Sequence, residues 1–296
     1  MKYDVLDFKN MAKTLNNLAF TDYYYRLKLL AMVVYKWENL PEEINERWIE
    51  RFLFDEGSCM IFKDKTFGLM VSKCNGEGVN FYDEPVNLTP VATGYSEIKS
   101  YENGSECILI TNNDLMIPTK PTIDLFAFKL ANIDRTIDIN TNAQKTPVLI
   151  KCSEKQRLTL TNVYNQWQGN SPVIYGDKQL DTSDMEVLKT DAPIVFDKLQ
   201  IQKHSVWNEC MTFLGINNAN QDKRERLVSD EVDANDEQVE MSSHVFLKAR
   251  QDAAQRINKL FGTDIKVSMR SIDEIKQLMN DSKGSDKGSE GGDDNA

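Results

Sequence analysis

Apolar residues recur along this chain with two different periods, and the changes of period divide it into regions. Over Thr21–Leu40 (TDYYYRLKLLAMVVYKWENL), Leu27, Leu30, Val34 and Trp37 return at three- and four-residue steps. That spacing predicts a helix with Thr21 or Asp22 as N-cap and Pro41 as its end. A second short helix is expected over about 42–54. From Gly57 to about Thr119 short apolar runs take over: Cys59–Phe62, Phe67–Val71, Val79–Tyr82 and Cys107–Ile110. Turn-forming Asn75-Gly76, Asp83-Glu84-Pro85 and Asn103-Gly104 separate them, which predicts a small antiparallel β domain, a barrel or a sandwich.

Pro118 and Pro121 mark the next boundary. A helix is expected over 121–144, with Leu125, Phe128, Ala131, Ile133 and Ile137 on its apolar flank. Its end, Asp138–Gln144, is polar enough to face solvent or a polar cavity. A strand (Thr146–Cys152), a short helix (Thr159–Trp167) closed by Gly169, a strand (Ser171–Tyr175) and a third strand (Met185–Leu188) should follow. Asp191 then reads as an N-cap, with Pro193 in the first turn, of a long helix carrying Val195, Leu199, Val206, Cys210 and Phe213 on one stripe. Some two dozen residues give a rod of roughly 35 Å, and Gly215-Ile216 reads as a Schellman stop. Lys198, Lys203 and His204 lie on its polar faces.

Asn217–Ser243 carries the basic Lys223-Arg224-Glu225-Arg226 and then an acidic run, with few apolar residues; a solvated flexible loop is expected. A last amphipathic helix should run from near Ser243 to Gly262 on Leu247, Ala254, Ile257, Leu260 and Phe261. The strand Asp264–Arg270 follows. Ser271 and Glu274 make a capping box, and the Gly/Ser/Asp-rich tail from Asp281 should be disordered.

The 296 residues suit one or two domains. With 35 Lys and Arg against 46 Asp and Glu, the net charge is −11, so this is not a basic nucleic-acid wrapper. DNA met by such a chain should be touched without being gripped. MKYDVLDFKN does not read as a signal peptide, and Leu29–Tyr35 is too short to span a bilayer; a soluble, non-secreted protein is expected. The five scattered cysteines form no CxxC pair and read as reduced, mostly buried thiols. His204 and His244 have no partner at metal-ligand spacing. No Walker A, Gly-x-Ser-x-Gly, His-Glu-x-x-His or EF-hand pattern occurs, and no helix opens after Gly76-Glu77-Gly78 to make a phosphate loop. No catalytic, cofactor-binding or metal residues are expected. The residues alone describe an assembling, α-rich protein with a β insert. They leave open a cytosolic interaction scaffold that recruits partners through its charged loop and tail, and a hydrolase with an unmarked site.

Ordered stretches carry a more specific signal. They are Trp37–Pro41, Asn112–Pro118, Pro121–Ala127, Asn142–Ile150, Val163–Gln166, Pro172–Ile174, Lys189–Pro193, Val206–Glu209, Met211–Ile216, Asp230–Val232, Asn235–Gln238 and Val245–Lys248. In this order they resemble the portal proteins (upper collar, or head–tail connector) of small short-tailed bacteriophages, typified by the connector of small Bacillus phages. The likeness spans about residues 20–270.

The resemblance implies an α+β portal fold with long channel-lining stem helices, a small SH3-like β-barrel in the wing and an α/β clip. It places an N-terminal arm at 1–20, the wing with its helices and barrel at 21–120, a stem helix at 121–145, the clip at 146–190 and a second stem helix at 191–216. A channel loop at 217–243, a wing or crown helix and strand at 244–270, and a short helix with a disordered tail at 271–296 complete it. It further implies a dodecameric ring at one capsid vertex of the virion, assembled in the host cytoplasm, through which double-stranded DNA is packaged and ejected. The major capsid protein, a packaging ATPase and lower collar or tail proteins are the implied partners. No enzymatic activity, cofactor or membrane is implied. The family's lumen lysines fall on Lys189 and Lys198, and its basic loop pair on Lys223 and Arg224, with Arg226 beside them. One cation per subunit becomes a ring of charge around an axis, able to touch phosphates at several azimuths. The plainer alternative for Lys198 is a salt-bridged helix-face lysine. The family's basic N-terminal arm helps hold a packaging RNA; MKYDVLDFKNMAKTLNN is near neutral, so RNA binding through this arm is not carried over.

Overall fold

Helix α1 runs Met11–Val33, starting and stopping earlier than its apolar spacing predicts. The computed structural model describes residues 11–92, 99–144, 148–150, 185–187, 193–217, 229–271 and 274–275. The chain forms two compact units, Met1–Asn132 with Lys203–Ala296, and Ile133–Gln202. Within α1, Asp22 pairs with Arg26 at 3.1 Å one turn on, a mid-helix use rather than a cap. The 1–20 arm is therefore partly helix.

Trp37 does not continue α1. It lies in strand β1 (Tyr35–Glu38), which pairs antiparallel with β9 (Lys266–Met269), Trp37 opposite Val267. Arg270 explains the break. Its backbone N–H donates to Val34 O at 2.8 Å, and its Nη1 donates to Val33 O at 3.1 Å and Tyr35 O at 2.6 Å. Those carbonyls gain partners from the other end of the chain, and Val, Tyr and Trp suit a pleated strand.

Helix α2 (Glu46–Glu56) starts on Asn45, whose Oδ1 accepts from Arg47 N at 2.9 Å. Then come β2 (Ser58–Asp64), β3 (Gly68–Val79), β4 (Pro85–Val91), β5 (Tyr101–Glu102) and β6 (Cys107–Thr111). They form one sheet in the order β5-β4-β3-β2-β6, all antiparallel. A bridge between Asn103 and Cys107 links the end of β5 to the start of β6. Asn75-Gly76 lies inside β3 rather than in a turn, Gly76 facing Leu88 across the ladder. A Cβ there would sit 2.8 Å from Pro85 Cβ, so the glycine serves close strand approach. The turn lies at 80–84, where part of the Val79–Tyr82 strand was expected, and β4 follows.

β2 and β6 are buried on both faces, which is why they read as continuous apolar runs. Cys59, Ile61, Ile108 and Ile110 face a core shared with Ile49 and Leu53 of α2, the β1–β9 ribbon, and Ala253, Ala254 and Ile257 of a late helix. Met60, Phe62, Cys107 and Leu109 face a second core with Leu88 and Tyr101.

Helix α3 (Lys120–Gln144) and helix α4 (Phe196–Phe213) complete a third core with α1: Tyr23, Leu27, Ile123, Phe126, Ala127, Leu130, Cys210 and Met211. Leu125 and Phe128, expected on the apolar flank of α3, are instead exposed. The buried stripe is rotated onto Ile123, Phe126, Ala127 and Leu130, a choice open to a helix apolar on more than one side. α4 ends as expected in a Schellman motif: Ile216 N donates to Met211 O at 2.9 Å and Gly215 N to Thr212 O at 3.0 Å. It starts later than expected, at Phe196, so it spans about 27 Å rather than the expected rod.

Helix α5 runs Ser229–Phe261, so 229–243 is helix where part of a flexible loop over 217–243 was expected; 218–228 lie outside the described residues. The apolar count there bears on burial, not on backbone hydrogen bonding. Once the half that packs beyond Ser243 is nucleated, each preceding residue adds a hydrogen bond at low cost. After β9, the capping box forms: Ser271 N donates to Glu274 Oε2 at 2.8 Å, and Glu274 N to Ser271 Oγ at 3.2 Å. The Ser271 N–H bond first, with the Ser271 side chain and Lys36 adding to it, holds the Glu274 carboxyl below the usual range.

Arg250 of α5 knots the first unit together. Its Nε and Nη2 donate to Glu50 at 2.8 and 2.7 Å, and Nη2 also to Asn112 Oδ1 at 3.1 Å. Nη1 donates to Phe246 O at 3.0 Å and Asn112 O at 3.3 Å. The guanidinium lies 4.1 Å from the Tyr35 ring centre, and Trp37 Nε1 donates to Glu50 at 2.8 Å.

In the second unit, β7 (Val148–Ile150) pairs antiparallel with β8 (Met185–Val187), at the places expected for the first and third strands. The expected helix 159–167, the strand 171–175, the N-cap Asp191 and the tail from 281 lie outside the described residues.

Burial governs the thiols. It pushes Cys74 up to about 11, Cys107 and Cys210 up to about 12, and Cys59 well above the ordinary range. Since the thiolate is the reacting form, alkylation of these four at pH 8 should be about a hundredfold or more slower than in urea. Peptide mass spectrometry with iodoacetamide checks this; rates equal to the unfolded chain would contradict the burial.

Candidate nucleic-acid interface

Among the cations expected to meet DNA, Lys198 lies within the described residues, while Lys189, Lys223, Arg224 and Arg226 lie outside them. Lys198 stands in the first turn of α4 with its side chain exposed. It makes no ion pair with a described residue, so the plainer salt-bridged reading finds no partner among them. A cation at this end of a helix meets the positive end of the dipole, where an isolated lysine gains least. An incoming anion meets both the ammonium and the first N–H groups. Asp197 beside it offsets part of that field.

The start of α4 is positioned by a neighbour. Asn140 of α3 donates its Nδ2 to Pro193 O at 2.8 Å, and its Oδ1 accepts from Val195 N at 3.3 Å. The segment before the helix is thus held extended, and the first turn closes only when Leu199 N donates to Val195 O at 3.1 Å. This is why Pro193 lies ahead of the helix rather than within its first turn. Sequence reading marked 138–144 as a polar helix end but missed Asn140, because nothing local signals a partner 53 residues away. On α3, Arg135 pairs with Asp138 at 2.6 Å.

Further along α4, Lys203 lies over the Tyr23 ring at 5.7 Å. His204 is exposed and Cys210 buried, so they make no nucleophile–base pair. Among the described residues no cluster of three or more His, Cys, Asp or Glu could hold a metal ion. A cavity of about 20 Å³ beside Tyr35, Glu50, Asn112, Thr119, Phe246 and Arg250 has room for about one water, not for a small-molecule substrate. No helix among the described residues is long and apolar enough to cross a membrane.

Two helices of the first unit keep an apolar face uncovered. On α1 Leu18, Tyr25 and Leu29 are half exposed, and on α3 Leu125 and Phe128 are 53 % and 63 % exposed. Among the described residues nothing covers these surfaces, although the opposite faces of the same helices are packed.

A structure described as the portal and tail of native bacteriophage P68 matches with a TM-score of 0.50 at 15 % identity, covering 97 % of this chain and all of that chain. A second, the virion of a native gene transfer agent particle, matches at a TM-score of 0.44 and 10 % identity, over 98 % of this chain and 92 % of that one. The first likeness shows the fold, a mixed helix and sheet architecture of the phage portal kind. The model of the family described as Phage Connector (GP10) matches residues 3–275, nearly the whole sequence, and this chain belongs to the phage connector family.

Proposed function

We propose that this chain is the subunit of a ring-shaped portal at one vertex of a phage capsid. DNA passes through the ring during packaging and ejection. The family match over residues 3–275 carries this reading. In it, twelve copies surround a channel walled by α3 and α4, the region 146–190 is the clip that docks the packaging ATPase and later the lower collar and tail, and 21–120 is the outer wing that meets the major capsid protein. The uncovered apolar faces of α1 and α3 support assembly, since a monomer would leave them in water. The strand order with its Asn103–Cys107 bridge supports reading the wing sheet as a small SH3-like barrel.

Lys198 at the head of α4 becomes one ring of cations in this arrangement; Lys189, Lys223, Arg224 and Arg226 supply the others. The strongly acidic chain keeps each contact weak, so DNA slides. The protein's work is conduction and docking, with no catalytic step.

The purified protein should sediment at roughly a dozen times its 33.9 kDa protomer and show a central hole by electron microscopy. The K223A/R224A/R226A variant should form the same rings but hold packaged DNA at least severalfold less well in assembled particles. A protein that stays monomeric sinks the ring; normal retention in the variant sinks the role of the basic cluster.

A further inference from the structure

The β3–β4 hairpin ends in the most exposed aromatic pair of the described residues. Phe81 is 94 % and Tyr82 is 78 % exposed, and Val79 beside them 65 %. Two rings in water at a loose tip would signify little, but this tip is held. Asn80 Oδ1 accepts from Tyr82 N at 2.8 Å and Glu84 N at 3.0 Å. Its Nδ2 donates to Glu84 Oε2 at 2.9 Å, and its backbone N–H to Glu84 O at 2.9 Å. Asp83 N donates to Asn80 O at 3.1 Å, and Asp83 takes the left-handed conformation at φ 60°. The rings meet edge to face, 5.4 Å apart at 89°. One asparagine therefore organises the turn, and the rings are presented in a set arrangement rather than folded back on the strands. Rigid aromatics with few torsions bind at low entropic cost.

The charge around the rings is of one sign. From Cys74 to Val91 the sequence carries Glu77, Asp83 and Glu84 and no lysine or arginine. Three carboxylates repel nucleic acid phosphates and anionic membrane surfaces alike. They also disfavour a second copy of this chain, whose net charge is −11. A protein surface with an apolar cleft rimmed by lysine and arginine satisfies both the rings and the carboxylates.

We infer that the tip of the β3–β4 hairpin is a docking knob: Phe81 and Tyr82 enter an apolar cleft on the surrounding shell protein, and Glu77, Asp83 and Glu84 meet its basic rim. Which protein serves as the probe rests on the portal reading above. The test binds assembled rings to purified major capsid protein of the same phage, across a range of salt. F81S/Y82S removes the rings and leaves Asn80 in place; E77Q/D83N/E84Q removes the charges and keeps the hydrogen-bonding shapes. Both should match the parent in thermal melting and ring mass. F81S/Y82S should weaken capture of the rings about 30-fold or more. E77Q/D83N/E84Q should weaken it several-fold at low salt and flatten its salt dependence. If the parent binds and F81S/Y82S binds equally, the knob is overturned and the portal reading stands. If F81S/Y82S instead loses ring mass, the occupant is a second copy, which also overturns the knob. A parent ring that does not bind the shell protein overturns the knob, whereas a parent that forms no ring overturns the portal reading.

Discussion

Glu50→Ala should cost the folded protein about 3–5 kcal/mol, a large share of the stability of any domain. The cost comes from what is left behind. Arg250 is 3 % exposed and Glu50 2 %, and the two meet through paired N–H···O bonds at 2.8 and 2.7 Å. Burial alone would lower the Arg250 pKa, but Glu50, with smaller contributions from Tyr35 and Cys59, outweighs it, so the guanidinium lies above its ordinary range and stays charged at every working pH. Without Glu50 that charge stays buried among neutral acceptors, Asn112 and the Phe246 carbonyl, and Trp37 Nε1 loses its acceptor. Glu50→Leu with Arg250→Met should cost much less than the sum of the single changes, because no lone charge remains. Urea unfolding followed by circular dichroism measures all of these. A Glu50→Ala cost below about 1 kcal/mol, or strict additivity, would show that the pair is not buried as described.

Gly57→Ala should cost about 3–4 kcal/mol, the sum of left-handed strain and overpacking against backbone. Gly57 caps α2 at φ 81°, and a Cβ there would lie 2.1 Å from Met116 O and 2.7 Å from Pro118 N. The loop it would strike cannot easily yield. Asn112 and Asn113 each donate to Ile117 O, at 2.9 and 2.8 Å, and Gly57 O itself accepts from Asn112 N at 2.9 Å. Two other glycines calibrate the effect. Gly78, at φ 67° with nothing near its missing Cβ, should lose only about 1 kcal/mol on change to alanine. Gly215, at φ 74° with Ser243 Cβ 2.4 Å from the added atom, should fall between them. Denaturation midpoints should order the variants G78A, G215A, G57A by increasing loss. Equal losses would mean that the backbone angle alone matters and the close approach does not.

Legibility in the sequence followed the range of the interaction. The Schellman stop at Gly215, the capping box of Ser271 and Glu274 and the doubly buried runs of β2 and β6 all rest on neighbours within a few residues or on an unbroken apolar string. Trp37 was misplaced because its strand exists only by pairing with β9. The 229–243 stretch was misplaced because helix can propagate from a packed half into a polar one. At the candidate site, Lys198 was named by family likeness, while Asn140, which sets where α4 begins, carries no local signal.

The sequence by itself determined the Ser271–Glu274 cap, the turns that end α4 and α5, the apolar strings that must be buried and the net negative charge. Each depends on residue chemistry within about one helical turn, or on a sum over the chain. Tertiary structure alone decided that Glu50 meets Arg250 from 200 residues away, that Arg270 stops α1, and which side of α3 is covered while Leu125 and Phe128 stay exposed. A helix with apolar residues on two sides has no intrinsic inner face, and a buried charge pair has no period; only the packed elements choose.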